Sequence, residues 1–464
     1  LETVEEFQDN LFQSSQPFWL LALVWGLSAF ILVILPELQF SLKILVLIPP
    51  MVVSIIIVYV NPKEGFSFWV LGITILVTQT GFQADIGPIR TSALEVLIGI
   101  LVLSLIALRA RLGREISLFS YIPGFGAYLG FVGFATIIFV LGFIKGDSLS
   151  LAIIQYKGFV IYPLLIIIIL YSVRSEKILN WSLSLMVLWY IFLSGRGLIQ
   201  FFQGQSTYFG GGVYRADAAY APTNLFGVSV MALALFLIGY NSDESVTKHR
   251  GLRFVIVGWL IAGALVSVSR TVLVAFVVGI LFLIISTDSK RSGMFLIIVV
   301  AYLALVLLPD DVMRRLFQLS DTSTNVRRFY VSSGWQAFQH FWLTGGGWGN
   351  GYWVDPWNKQ LIPSGGIPWY HNDYLNLGVQ VGFFGLVIYL AFWFIFLYNA
   401  YIYLQKYPKT KFSPFIRGSM VALICMLVSA IFEQVLWRPD MGGLLGWVSG
   451  VLASCIYLSE NLET

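Results

Sequence analysis

Long apolar runs recur along this chain, separated by short polar connections, and this recurrence constrains the fold more than any other feature. A helix needs about 20 apolar residues to cross a hydrocarbon core. Runs of that order are read at 17–35, 42–60, 66–80, 93–108, 118–144, 156–173, 178–202, 221–240, 252–268, 271–287, 293–309, 374–404, 415–437 and 441–458. Backbone polar groups in lipid must be satisfied within the segment, so each of the fourteen runs is read as a helix, with about twelve as the alternative count if the short or broken ones are re-entrant or fused. With 58% apolar residues and only 11% charged, a soluble enzyme folded around one core is excluded. The expected fold class is all-α: a polytopic membrane helix bundle of about 12–14 transmembrane helices, with one large extracytoplasmic loop containing amphipathic helices. The expected division is 1–309 for the N-terminal transmembrane helices, 310–373 for the extracytoplasmic loop and 374–464 for the C-terminal helices, all within one integral membrane domain. The first eighteen residues carry Glu2, Glu5, Glu6 and Asp9 but no base, so the first run is expected to stay as an anchor.

Several function classes fall away on composition. Cys425 and Cys455 both lie in apolar runs, and the spacings of a disulfide framework, a zinc site or a haem attachment are missing. The net charge of +4 is dispersed over connections between runs, which membrane topology explains better than nucleic-acid binding does. No P-loop or dinucleotide fingerprint occurs.

Basic residues set the orientation. One set of alternate connections holds Lys63, Arg109, Arg111, Arg114, Arg174, Lys177, Lys248, Arg250, Arg253, Lys290, Arg291, Lys406, Lys409, Lys411 and Arg417. The short connections of the other set hold only Lys43, Arg90, Lys145, Lys157, Arg215, Arg270 and Arg438. The richer set is expected in the cytoplasm, with both termini, which turns the long loop outward. Topology leaves a few charges unexplained: Arg215, Arg270 in the tight turn Ser267-Val268-Ser269-Arg270, Arg196 and Glu433 near the outer ends of their runs, and Arg438 just beyond. Charge at membrane depth needs a partner, a watery cavity or a function. His371-Asn372, where the long loop re-enters a run, adds a titratable imidazole on that same outer side.

The loop is too long for a connector. Val326, Phe329, Tyr330, Ala337, Phe338, Phe341 and Trp342 recur at helical spacing, which predicts an amphipathic helix on the outer leaflet. Six of the fifteen tryptophans, at 335, 342, 348, 353, 357 and 369, crowd here, suited to interface anchoring or to stacking on sugar faces. The run Gly345-Gly346-Gly347-Trp348-Gly349 permits close backbone approach to an anion. Asp310-Asp311 reads as a solvated helix-ending cap rather than a divalent-metal pair, and His340 and His249 read as structural or unpartnered.

In order and spacing, Tyr214-Arg215, Pro222-Thr223-Asn224, Ser269-Arg270, Arg327 to Trp335, the glycine run with Trp348, and His371-Asn372 with Gly382 and Gly385 form a pattern. On these motifs the segment from about 210 to 390 resembles the bacterial O-antigen ligase and O-antigen polymerase superfamily. Leu343-Thr344 departs from it, since the family usually has a proline and an aliphatic residue there. The resemblance implies a glycan donor on undecaprenyl diphosphate, with a lipid A core or lipid-linked glycan as acceptor. It implies functional roles for Arg215, Arg270 and His371 on the outward side. Arg196, Asn224, Arg327, Trp348, Asn372, Glu433 and Arg438 are further candidates for substrate binding.

Guanidinium groups present paired donors to phosphate oxygens, and an imidazole can take the proton of a sugar hydroxyl. No pair of nearby carboxylates suggests a covalent sugar-enzyme intermediate, so metal-independent transfer with inversion is expected, without cofactor, and the resemblance implies a multi-pass protein of the bacterial inner membrane whose active site faces the periplasm. The partners expected are donor, acceptor and lipid bilayer, with no nucleic acid. A polymerase of the same superfamily is one alternative. A small-anion or solute transporter is another, although carriers place polar groups near the midplane and these charges sit at the outer ends.

Overall fold

The structure is a computed structural model that describes residues 121–144, 149–173, 175–204, 223–242, 250–286, 322–348 and 370–462, with short pieces at 27–28, 31, 49, 52, 83–86, 89–92, 207–208, 214–216 and 218. The runs expected at 17–35, 42–60, 66–80, 93–108 and 293–309 lie wholly or almost wholly outside these residues. The helices are α1 (Phe125–Ile144), α2 (Leu149–Val160), α3 (Leu165–Ser172), α4 (Glu176–Phe202), α5 (Thr223–Asn241), α6 (Arg250–Leu265), α7 (Arg270–Ser286), α8 (Thr322–Phe341), α9 (Asp373–Lys406), α10 (Ser413–Ser429) and α11 (Pro439–Leu462). Among the described residues six segments are long and apolar enough to cross a membrane, and α6, α7 and α10 are shorter apolar helices. This is a polytopic helical membrane protein. Two antiparallel ladders are the one departure from all-α among the described residues: β1 (Gln83–Ile86) with β2 (Ile89–Ser92), and β3 (Thr207–Tyr208) with β4 (Tyr214–Arg215).

Three expected runs are interrupted, the third, 374–404, at Gly382. The run at 156–173 divides into α2, a 3₁₀ turn at Tyr162–Leu164 and α3. Pro163 has no N–H to donate and its ring opposes the carbonyl four residues back. The run at 415–437 is helical only to Ser429, and 430–438 is irregular. Those residues are apolar because Val435, Leu436 and Trp437 are buried against protein, the condition under which non-helical backbone survives at membrane depth.

At the centre stands α5, apolar on every side. Phe226, Val228 and the stretch Val230 to Phe236 have no exposed surface. It packs against α6, α7 and α10, while α4 packs on α6 and α11 on both α10 and α3. Without a hydrophobic drive in lipid, close contact needs small residues. Gly442, Gly446 and Gly450 line one face of α11, and a Cβ on them would lie 2.6, 2.4 and 2.4 Å from side-chain atoms of Tyr162, Leu165 and Ile169.

Helix α9 has to bend. Asp373 N–H donates to Ala430 O (2.8 Å), just past the end of α10, and Ser413 Oγ at the start of α10 donates to Tyr407 O (3.0 Å), just past the end of α9. At about 1.5 Å per residue, the 34 residues of α9 would reach about 51 Å and the 17 of α10 about 26 Å. A straight rod cannot meet both ends, and the break falls at Gly382, with φ 71° and ψ −177°. Residues 373–381 form a short first leg, along which α8 packs.

Candidate active site

One end of the bundle collects nearly every residue singled out from the sequence. The start of α5 meets the turn before α7, since a Cβ on Gly227 would lie 2.2 Å from Ser267 Oγ and 2.7 Å from Val272. The end of α6 joins there, where Ala216 N–H donates to Val266 O (3.1 Å). So does the end of α4, where Gln200 Oε1 accepts from Ala218 N–H (2.7 Å). The start of α9 and the segment 430–438 complete the group. At the opposite end lie described members of the base-rich set of connections: Lys411 pairs with Glu176 (3.4 Å), and Arg253 lies over the Tyr240 ring, itself against Phe415.

Glu433 is the hub of the site end. It is 5% exposed and lies in the irregular segment after α10, not on the helix expected to carry it. Its Oε1 accepts from Asn224 Nδ2 at the head of α5 (2.5 Å) and pairs with Arg327 Nη2 from α8 (2.5 Å). Its Oε2 faces His371 Nδ1 at 3.7 Å. Three stretches of chain distant in sequence thus converge on one carboxylate. Hydrogen bonds to a carboxylate are shorter and stronger than neutral ones.

The imidazole is presented by strained backbone. His371 has φ 50°, in the left-handed region that few residues other than glycine adopt. Asn372 follows as the N-cap of α9, its side chain accepting from Leu375 N–H (2.9 Å). Asp373 then accepts from Val435 N–H (2.6 Å) and Leu436 N–H (2.7 Å) on Oδ2 while fully buried. This grip, with the bond from Asp373 N–H to Ala430 O, fixes His371 opposite Glu433. The His371 ring also lies 5.8 Å from that of Tyr330 on α8.

The arginines sit on the elements around this hub. Arg215 is in β4, where its backbone pairs with Thr207. Arg270 is the first residue of α7 and half-buried, after Val268 with a left-handed φ of 49°. Arg196 is half-buried one turn before Gln200 on α4, and Arg438 immediately precedes α11. Asn224, Arg327, His371 and Glu433 are brought into direct juxtaposition; Arg215, Arg270, Arg196 and Arg438 share their end of the bundle.

The glycine run has a different role from the one expected. Gly346 N–H donates to Val379 O (2.7 Å) and Gly347 N–H to Gln380 O (3.1 Å), so both are engaged by protein rather than free for an anion. Phe383 N–H donates to Trp342 O (2.6 Å), so this turn fills the gap opened in α9 at Gly382. The Leu343-Thr344 departure leaves the turn intact, with Gly345 N–H donating to Phe341 O (2.8 Å). Trp348 requires a correction. It is fully buried, donates from Nε1 to Ala135 O (2.9 Å), and packs against Tyr156 and Phe159. Its indole is a core wedge with no face open to a sugar.

Helix α8 carries the expected amphipathic stripe, shifted in detail. Ser333, Gly334 and Ala337 are buried, while Trp335 and Trp342 are 53% and 52% exposed. A Cβ on Gly334 would meet Leu375 and Tyr370 at 2.7 Å, so the smallest residues form the contact face. His340 is exposed beside Phe341. His249, Asp310, Asp311, Trp353, Trp357 and Trp369 lie outside the described residues. Sequence reasoning missed Asp373, although a carboxylate at the first turn of an apolar helix is a visible signal, since such a charge needs donors.

Residues 255–390 match the family model described as O-antigen ligase. The match contains Arg270, Arg327, the glycine run, His371 and Asn372, and supports the O-antigen ligase and polymerase superfamily that the motifs resemble. A comparison with curated proteins returned no match.

Proposed function

We propose that this membrane enzyme transfers a glycan from undecaprenyl diphosphate to a sugar hydroxyl of a lipid A core, as an O-antigen ligase, with inversion and without a metal. The observation that carries the reading is the convergence of His371, Arg327 and Asn224 on Glu433, at the end of the bundle where the elements bearing Arg215 and Arg270 meet.

In the reaction, the acceptor oxygen forms a bond to the anomeric carbon as the bond from that carbon to the diphosphate oxygen breaks. The acceptor's proton passes to His371, and undecaprenyl diphosphate departs with the bonding electrons. With Nδ1 turned towards Glu433, His371 has Nε2 for the proton. Positioned proton transfer of this kind contributes about a hundredfold to ten-thousandfold. Arg215 and Arg270 hold the diphosphate, each donor aimed at developing charge contributing about 3 to 4 kcal/mol. Arg196 and Arg438 flank them, and Asn224, Arg327, Asn372 and Glu433 order the pocket.

The site end is assigned to the periplasm and the other to the cytoplasm, with both chain termini. Lys177, Arg253, Lys406, Lys409, Lys411 and Arg417 at the opposite end of the bundle support this orientation. The test is incubation of purified protein with a defined undecaprenyl diphosphate glycan, with lipid A core and a lipid-linked repeat unit as separate acceptors. Transfer to the core, insensitive to chelator, is the expected result. Transfer only to the lipid-linked unit would make the protein a polymerase, and no transfer to either would overturn the reading.

A further inference from the structure

The geometry points to Glu433 as the positioning residue for His371. This rests on the reading above, in which His371 takes the acceptor's proton, and goes beyond it by assigning how the imidazole is aimed. His371 Nδ1 is buried and has no hydrogen-bond partner among the described residues. A buried ring nitrogen without a partner costs stability unless a group stands ready to receive it. The facing atom is Glu433 Oε2 at 3.7 Å, and a shift of about 0.8 Å would bring the pair to ordinary hydrogen-bond length.

The two oxygens of Glu433 divide the work. Oε1 is tethered by Asn224 and Arg327, which stops the carboxylate from rotating away. Oε2 is the oxygen that faces the imidazole. An Nδ1–H donated to it places the lone pair on Nε2, the tautomer that accepts a proton from the acceptor hydroxyl. The Asp373 grip on Val435 and Leu436 makes the pairing an imposed one, because it ties the His371 and Glu433 segments together on both sides. Arg327 enters from α8, so seating of that helix also holds the carboxylate in place.

A purely structural role for Glu433 would predict lost protein, not a selective loss of turnover. The experiment uses full-length protein with the defined donor and acceptor, reading kcat and donor KM separately for Glu433→Gln, Glu433→Asp, His371→Ala and the double variant Glu433→Gln/His371→Ala. Glu433→Gln keeps the side-chain size and an oxygen acceptor. It is expected to lower kcat about a hundredfold or more with donor KM within about twofold. Glu433→Asp should recover part of that loss. In the His371→Ala background, Glu433→Gln should cause no further fall, because its effect runs through the imidazole.

Equal fold losses from Glu433→Gln in both backgrounds, or a raised donor KM with kcat unchanged, would overturn the assignment. If residual transfer by His371→Ala is below detection, the split between kcat and KM decides. If Glu433→Gln yields no folded protein, the same cycle is read with Glu433→Asp. Wild-type protein without transfer would defeat the proposed function itself. Active wild type with His371→Ala depressed and Glu433→Gln at the parental rate defeats only the role of Glu433.

Discussion

Replacing Gly382 by alanine tests the break in α9 most directly. At φ 71° and ψ −177° this residue occupies backbone space essentially reserved for glycine, and holding an L-residue there costs about 1–3 kcal/mol. A Cβ would also lie 2.7 Å from both Gly345 N and Leu343 O, backbone atoms that cannot swing aside. Overpacking of this kind adds about 1–3 kcal/mol, for a total of about 2–6 kcal/mol. Two other glycines separate the contributions. A Cβ on Gly204, with φ 64°, meets nothing within 4 Å, so alanine there costs only the backbone part, about 1–2 kcal/mol. Gly133 is helical and also open, so alanine there is neutral or gains up to about 1 kcal/mol. The assay is the thermal unfolding midpoint of each purified variant in one detergent, with the expected order Gly133→Ala highest, then Gly204→Ala, then Gly382→Ala. A Gly382→Ala midpoint level with that of Gly133→Ala would refute the reasoning, because α9 would then pass through residue 382 without the break.

Other outcomes follow from the same structure. His371→Ala and Arg270→Ala should each abolish glycan transfer at parental yield and thermal midpoint; parental transfer rates in both would remove them from the site. Asp373→Ala strands the N–H groups of Val435 and Leu436 and should cost about 2–6 kcal/mol, read as a fall in midpoint, with unchanged stability contradicting the grip. Trp348→Phe should lose about 1 kcal/mol with its bond to Ala135 O while turnover per folded molecule stays parental; a selective rise in KM would restore a substrate contact. Gly446→Leu should destabilise by about 1–3 kcal/mol through collision with Leu165, and unchanged unfolding would show that α11 can move away.

The spans were legible where hydrophobic length alone decides. Reading 178–202, 221–240, 252–268 and 271–287 places α4 to α7 within a few residues, because a buried membrane helix must carry its apolar surface continuously. What the sequence hid were interruptions that burial disguises. The run that contains 430–438 reads as a continuous helix, and the distant carboxylate of Asp373 takes up the Val435 and Leu436 N–H groups that leave it. Pro163 was a visible signal and went unread. The glycine run was read as open to an anion, but the group that approaches it is the carbonyl row of α9, which no local pattern reveals. At the site, groups with no topological explanation led to Glu433 and His371 and the motif resemblance to Arg327 and Asn224, whereas their convergence on one carboxylate is a property of the fold.

Where Glu433 is rooted matters for how the protein behaves in different membranes. Its segment joins α10 to α11, and in α11 every residue from Met441 to Ile456 is buried, whereas α1 turns Ile137, Phe143 and Ile144 outwards. A bilayer that thickens or thins presses first on outward-facing helices such as α1. Mounted between two enclosed helices, the carboxylate is mechanically insulated from that load, so turnover should vary little with acyl-chain length while unfolding temperature tracks it.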